Sequence, residues 1–207
     1  MILSEGDDCR VGAVSGYLEG VRPCKATAVT TVVRLATPED GVALREIERL
    51  AGERFRDVGL EAVADHEPPS LQTLATYALA GRAWVAIDDV GVPVGYVLVD
   101  VVDGCAHVEQ VSVQPDHQGL GVGRALLDRA RSWATEAALN AVTLITFADV
   151  PWNRPLYEHL GFRVLPEAEI GLQLRAVRDA EAAHGLDPLH RVCMRLELAP
   201  LPVIATA

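Results

Sequence analysis

At 207 residues, with 50% hydrophobic and 23% charged side chains, the chain has the size and composition of one globular domain with a substantial core. A formal net charge of -11 excludes the basic surface that a nucleic-acid binder needs, and no apolar run approaches the ~18 residues of a membrane span. The four cysteines, Cys9, Cys24, Cys105 and Cys193, are scattered without a Cys-x-x-Cys pair, and the N-terminus lacks the basic-then-apolar order of a secretory signal. Both features lead us to expect reduced thiols and a cytoplasmic location.

Residues 1–29 mix Gly, Asp, Cys and Pro without sustained periodicity. They read as an extension ahead of the domain, disordered or partly packed, with 30–200 as a single domain and 201–207 as a tail. Residues 31–35 (TVVRL) are the first predicted strand. Thr37-Pro38-Glu39-Asp40 then supplies a helix start, with a capping threonine, an early proline and acids in the first turn. Val42, Leu44, Ile47, Leu50 and Phe55 keep helical spacing. Residues 56–70, which hold Gly59, Pro68 and Pro69, are expected to form a loop, and a weaker helix over 71–79 to end at Gly81.

Strands are predicted over 83–87 and 94–102. Asp103-Gly104 is a tight-turn pair, which makes the next strand, 106–113, antiparallel to its predecessor. Strict alternation along that strand places His107, Glu109, Val111 and Val113 on one face, and Ala106, Val108, Gln110 and Ser112 on the other. A long helix follows, with Val122, Leu126, Ala130, Trp133 and Ala137 on its apolar side and Arg124, Asp128, Arg131 and Thr135 on its polar side. Residues 141–147 are a fifth strand, 154–160 a short helix ending at Gly161, and 162–165 a return to the sheet. A helix over 169–184 stops at Gly185. Val192, Met194, Leu196 and Leu198 then alternate with Cys193, Arg195 and Glu197, as in a strand with one buried face. The expected fold class is α/β (mixed α+β): a mixed, partly antiparallel twisted sheet of about six or seven strands, with helices on both faces.

The densest chemical signal is VSVQPDHQGLGVGRALL, residues 111–127. Gln118, Gly121 and Gly123 satisfy the spacing Gln/Arg-x-x-Gly-x-Gly/Ala between a strand and a long helix. Such a turn lets backbone N–H groups converge where the helix dipole is positive, which suits an anion, a pyrophosphate being the first candidate. The dinucleotide fingerprint would need glycine where Arg124 stands, and the Gly-Lys-Ser/Thr of a P-loop never occurs.

This stretch resembles the acetyl-CoA-binding motif of the GNAT (Gcn5-related) N-acetyltransferase superfamily, and the resemblance runs over residues 31–198. It implies that Gln118, Gly119, Leu120, Gly121, Val122, Gly123 and Arg124 hold the pyrophosphate of coenzyme A. It also implies that the backbone of Val111, Ser112 and Val113 meets the pantetheine arm beside a V-shaped gap, with the Val111 N–H aimed at the thioester oxygen. Glu109, four residues before Val113, falls where several families of the superfamily have a base, often acting through water; the alternative is a glutamate that orients a helix or binds structural water. His107 is a second candidate, as base or relay.

A later block, DVPWNRPLYEHLGFRVL at 149–165, is similar to another motif of the superfamily. It implies Tyr157, four residues before Gly161-Phe162, as general acid for the departing sulfur; the alternative is an amphipathic core residue with its hydroxyl in water. Asn153 stands four residues before the tyrosine rather than about seven; it either binds pantetheine or caps the helix. Phe55, Asp149 and Trp152 are candidates for the acceptor site, as are Asp57, Glu61, Asp65 and His66 in the 56–70 segment. His159, His184 and His190 have no ligand spacing, so no metal is expected.

The implied activity is acetyl transfer from acetyl-CoA to a primary amine of a small molecule or peptide, by direct attack. The implied partners include neither nucleic acid nor membrane, and the last helix and strand are a candidate homodimer surface. The rival is a coenzyme A-binding sensor or scaffold module. The acceptor, and acetyl against a longer acyl donor, stay open.

Overall fold

The computed structural model describes residues 31–183 and 191–199. The expected extension over 1–29, the tail over 201–207, Cys9, Cys24, His184, Gly185 and His190 lie outside the described residues.

The chain opens with β1 (Val32–Leu35), and the Thr37-to-Asp40 segment is a single 3-10 turn rather than the first turn of the helix. Asp40 holds it closed: its carboxylate accepts from the Thr37 N–H at 2.7 Å and takes both Arg34 terminal nitrogens at 2.8 Å. The Arg34 hydrogen bonds hold the Asp40 carboxyl below its ordinary range. Helix α1 (Gly41–Gly52) follows, and a 3-10 segment, Glu53–Val58, closes on Gly59 at φ 73°. The predicted 56–70 loop also contains a one-turn helix, α2 (Glu61–Ala64), too short to show helical periodicity. Ser70 then caps α3 (Leu71–Leu79) by accepting from the Thr73 N–H at 3.1 Å.

Strands β2 (Ala83–Ile87), β3 (Pro93–Val102) and β4 (Cys105–Val113) form an antiparallel meander. Helix α4 (Val122–Glu136) crosses over to β5 (Ala141–Phe147), the connection that the parallel β4–β5 pair requires. Helix α5 (Arg154–His159), the two-residue β6 (Arg163–Val164), α6 (Leu172–Ala183) and β7 (Arg191–Glu197) complete the described chain. The sheet order is β1-β2-β3-β4-β5-β7-β6.

Helices cover both faces. On one face α4 buries Val122, Leu126, Leu127 and Ala130 against Val97, Val99, Val108 and Val111, and Tyr157 of α5 joins the same cluster. On the other, α1 and α3 pack Leu44, Ile47 and Leu74 onto Val85, Tyr96 and Leu98, while α6 packs Leu174 onto Val102, Ile145 and Cys193.

Two expectations are corrected. Ala137 is exposed, because α4 has reached its C-cap there; Ala134 takes its place in the core, and Trp133 is half-buried beside Trp84. Strand β7 buries both Cys193 and Met194, since α6 covers one face of it and the α4–α5 layer the other. That strand lies in the sheet between β5 and the two-residue β6.

Candidate active site

The site is built where β4 and β5 part. They pair only at Ala106↔Val142, His107↔Thr143 and Val108↔Leu144. Against β3, Val108 faces Val99 and Gln110 faces Leu98, which leaves Glu109 as an extra residue without a partner. This is a β-bulge, which bends its strand and adds twist. Past it, β4 pairs with β3 alone through Val97↔Val111, Tyr96↔Ser112 and Gly95↔Val113, while residues 145–147 of β5 pair with β7. A wedge opens between them.

The bulge also overturns the strict alternation expected for this strand. Val108, Val111 and Val113 all join the α4 side, whereas Glu109 and Gln110 both face a cavity on the opposite side. Glu109 therefore does not share a face with Val111 and Val113.

At the wedge's α4 side lies the glycine turn. Gly119 and Gly121 have φ of 73° and 82°, the left-handed region that glycine enters without a Cβ penalty. The Gln118 side chain donates to the Val113 carbonyl at 3.0 Å, tying the turn to the end of β4. The first bond of the α4 ladder runs from the Ala125 N–H to the Gly121 carbonyl at 3.0 Å, and no side chain caps the helix. The N–H groups of Val122, Gly123 and Arg124 are thus left at the positive end of a 15-residue helix. Arg124 and Leu120 are exposed at its rim.

On the β5 side of the wedge are buried polar atoms that find no hydrogen bond: Thr146 Oγ1, both amide atoms of Asn153, and the Tyr157 hydroxyl. Asn153 and Tyr157 are both 0% exposed. Asn153 occupies the N-cap position of α5, yet its side chain makes no capping bond. Such orphans are rare in a finished core and signal a ligand that pairs them. Burial holds the Tyr157 hydroxyl well above its ordinary pKa, so it stays a proton donor. Together with the glycine turn, these atoms fit a long, amide-bearing pyrophosphate carrier. Thr146 was missed in the sequence because a threonine in AVTLITF reads as an ordinary strand residue.

On the opposite face a cavity of about 510 Å³ opens against Glu109. Burial, with repulsion from Glu181 and Asp100 and opposition from Arg191, lifts the Glu109 carboxyl to about 7. His107 lies beneath it. Its Nε2 is 4.0 Å from Glu109 Oε2, its Nδ1 is 3.1 Å from Thr143 Oγ1, and it does not line the cavity. Burial lowers its pKa to about 4, so it is neutral near pH 7.

Of the acceptor candidates, Phe55 and His66 line this cavity. Trp152 packs at a tilt against Phe55, with ring centroids 6.2 Å apart, and carries the Arg54 guanidinium 3.9 Å above its own ring. It stands behind the wall rather than in it. Asp149, Asp57, Glu61 and Asp65 are exposed and lie outside the cavity lining; Asp65 is engaged by Arg56 at 2.5 Å. The residues that sequence reasoning missed are Glu48, Tyr77, Asp100, Glu181 and Arg191, brought in by α1, α3, β3, α6 and β7. Among the described residues, no group of three or more His, Cys, Asp or Glu is arranged to hold a metal ion, and no helix is long and apolar enough to cross a membrane.

The site is thus a mixed α/β sheet that splits around a bulge, with a glycine-opened helix at the fork. The sequence profile of the Acetyltransferase (GNAT) family matches residues 44–162, more than half of the chain, and the protein belongs to that family. It is 31% identical over 87 residues to the peptidyl-lysine N-acetyltransferase YjaB of Escherichia coli K12; the match spans 42% of this chain and 53% of that protein. The chain thus spans about half the length of that relative. A GNAT-family acetyltransferase of Staphylococcus aureus Mu50 superposes with a TM-score of 0.63 at 15% identity, over 82% of this chain and 100% of the other. The PaiA N-acetyltransferase of Thermoplasma acidophilum, solved with coenzyme A, gives 0.61 at 15% identity, over 82% and 99%.

Proposed function

We propose that the protein is an acetyl-CoA-dependent N-acetyltransferase acting on a primary amine of a small molecule or peptide by direct attack. The observation that carries this reading is the two-sided fork at Glu109: an anion-suited turn and unpaired polar groups on one side, a cavity with a raised-pKa carboxylate on the other.

Gln118 to Arg124 would hold the pyrophosphate through their amides, with Val111, Ser112, Val113 and Asn153 along the pantetheine arm. Acetyl-CoA supplies the activated acetyl thioester when bound. An alkylammonium of pKa near ~10 must lose a proton before it can attack, and Glu109 accepts it directly or through water. The Val111 N–H would stabilise charge on the carbonyl oxygen. A C–N bond forms, the C–S bond breaks, and Tyr157 returns a proton to the sulfur. His107, neutral and out of the cavity, packs 4.0 Å beneath Glu109 rather than meeting the amine. We read residues 30–200 as one domain working in the cytoplasm.

The experiment is release of free thiol from acetyl-CoA across amines and lysine peptides, beside calorimetry with acetyl-CoA. Tight binding without thiol release from any amine would sink the catalytic reading in favour of a sensor module.

A further inference from the structure

The acceptor cavity is bounded by α1, the 3-10 segment after it, α2, α3 and α6 over a floor of β3, β4 and β5. A space of about 510 Å³ walled by so many elements has the size of a small-molecule site.

Five carboxylates line it: Glu48, Glu67, Asp100, Glu109 and Glu181. Three have a cation of their own. Arg45 takes Glu67 at 2.6 Å, Arg82 takes Asp100, and Arg191 takes Glu181 at 2.8 Å. The charge of Arg191 is further committed by the Phe147 ring 5.0 Å below it. Among the described residues, Glu48 and Glu109 have no arginine or lysine within ion-pair distance. Glu48 receives only the neutral hydroxyl of the fully buried Tyr96, and Glu109 meets only His107.

The two are spaced along one strand pair. Tyr96, which holds Glu48, faces Ser112 in the register, three residues from Glu109, or roughly 10 Å of strand rise. Apolar side chains of Phe55, Leu98, Ile145, Phe147 and Val177 line the space around them. Both carboxylates open on the cavity, and Glu109 keeps about 40% of its side chain exposed there; a ligand that brings an ammonium to each forms a charge-assisted contact at both ends.

Resting on the acetyltransferase reading above, we propose that the acceptor is a small aliphatic diamine. Its reacting amine sits at Glu109, its methylene spacer runs along the apolar wall, and its distal ammonium pairs with Glu48. The reacting nitrogen loses one proton and gains the acetyl group, giving the mono-acetylated diamine and free coenzyme A thiol.

The test compares diaminobutane and diaminopentane with butylamine, pentylamine and a lysine-containing peptide, reading thiol release from acetyl-CoA with the full chain. The diamines should exceed the matched monoamines in kcat/KM by about tenfold or more, the worth of one charge-assisted contact. Glu48→Gln should collapse that ratio, and Glu48→Asp should keep part of it. Should Glu48→Gln fail to bind acetyl-CoA and so report misfolding, thermal shifts of the unaltered protein decide: diaminobutane must stabilise it more than butylamine at equal concentration.

Monoamines or the peptide serving as well as the diamines, or an unchanged ratio in a folded Glu48→Gln, overturns the diamine while the acetyltransferase reading stands. Acetyl-CoA binding with no thiol released by any acceptor overturns that reading and the diamine with it.

Discussion

Glu109 Oε2 lies 4.0 Å from His107 Nε2, yet the two cannot form an ion pair near neutral pH, because burial leaves the imidazole uncharged. The carboxyl beside it is raised to about 7 by burial and by Glu181 and Asp100. A base titrating there is half-ionised at pH 7, so kcat/KM should climb with pH through about 7 and level off above it. Glu109→Gln should remove that limb and lower turnover by about 10²-fold or more. A pH profile of both proteins checks this; an unchanged limb in the variant would assign the titration to another group.

The same pair predicts how stability depends on pH. His107, held near 4 against an ordinary 6.5, binds fewer protons folded than unfolded. It contributes about 3 kcal/mol that is present above 6.5 and lost as pH falls toward 4. Glu109, held near 7 against an ordinary 4.5, binds more protons folded, so its contribution falls as pH rises through that window. Between 4.5 and 6.5 the two oppose each other and flatten the profile. Removing the carboxyl in Glu109→Gln should therefore expose the histidine slope, with the melting temperature rising more steeply over that range than in the unaltered protein. Differential scanning calorimetry at several pH values reads it directly.

Tyr157 offers a separation of catalysis from folding. Its ring packs edge-on against Phe162 at 5.9 Å, while its hydroxyl is buried without a partner. Tyr157→Phe keeps the packing and deletes an unsatisfied group whose burial costs about 1–3 kcal/mol. The variant should melt no lower than the parent and bind acetyl-CoA comparably, yet turn over about 10²-fold more slowly. Undiminished turnover would remove Tyr157 from the mechanism.

How far the sequence reached follows from the range of each signal. Strands β2 and β5 and helix α3 fall on the predicted 83–87, 141–147 and 71–79, because apolar runs, periodicity and a serine cap are local signals. The glycine turn was also legible, since its geometry is fixed by the residues inside it. The bulge at Glu109 was not: it exists only through the register with Leu98 and Val99 on another strand. Glu48 and Glu181 each read as a polar residue on an amphipathic helix, and only tertiary packing turns both toward one cavity. Both faces of β7 are buried for the same reason, because α6 folds back over a strand whose own alternation promised one wet side.

The glycines give the last prediction, since two of them serve opposite needs. A Cβ on Gly121 would meet nothing within 4 Å, but its φ is 82°. Gly121→Ala should thus cost about 1 kcal/mol through backbone strain alone. Any relaxation toward negative φ would turn the Val122 and Gly123 amides away from the anion. Gly95 has ordinary backbone angles, but a Cβ there would sit 3.0 Å from the Ser112 carbonyl oxygen and 3.2 Å from Leu126 and Val122 side chains. Gly95→Ala should push α4 off the sheet and destabilise by about 1–3 kcal/mol. In calorimetry Gly121→Ala should lose more affinity for acetyl-CoA than its modest drop in melting temperature suggests, and Gly95→Ala should show the larger drop. Full affinity in Gly121→Ala would mean that the left-handed amide array is not what grips the pyrophosphate.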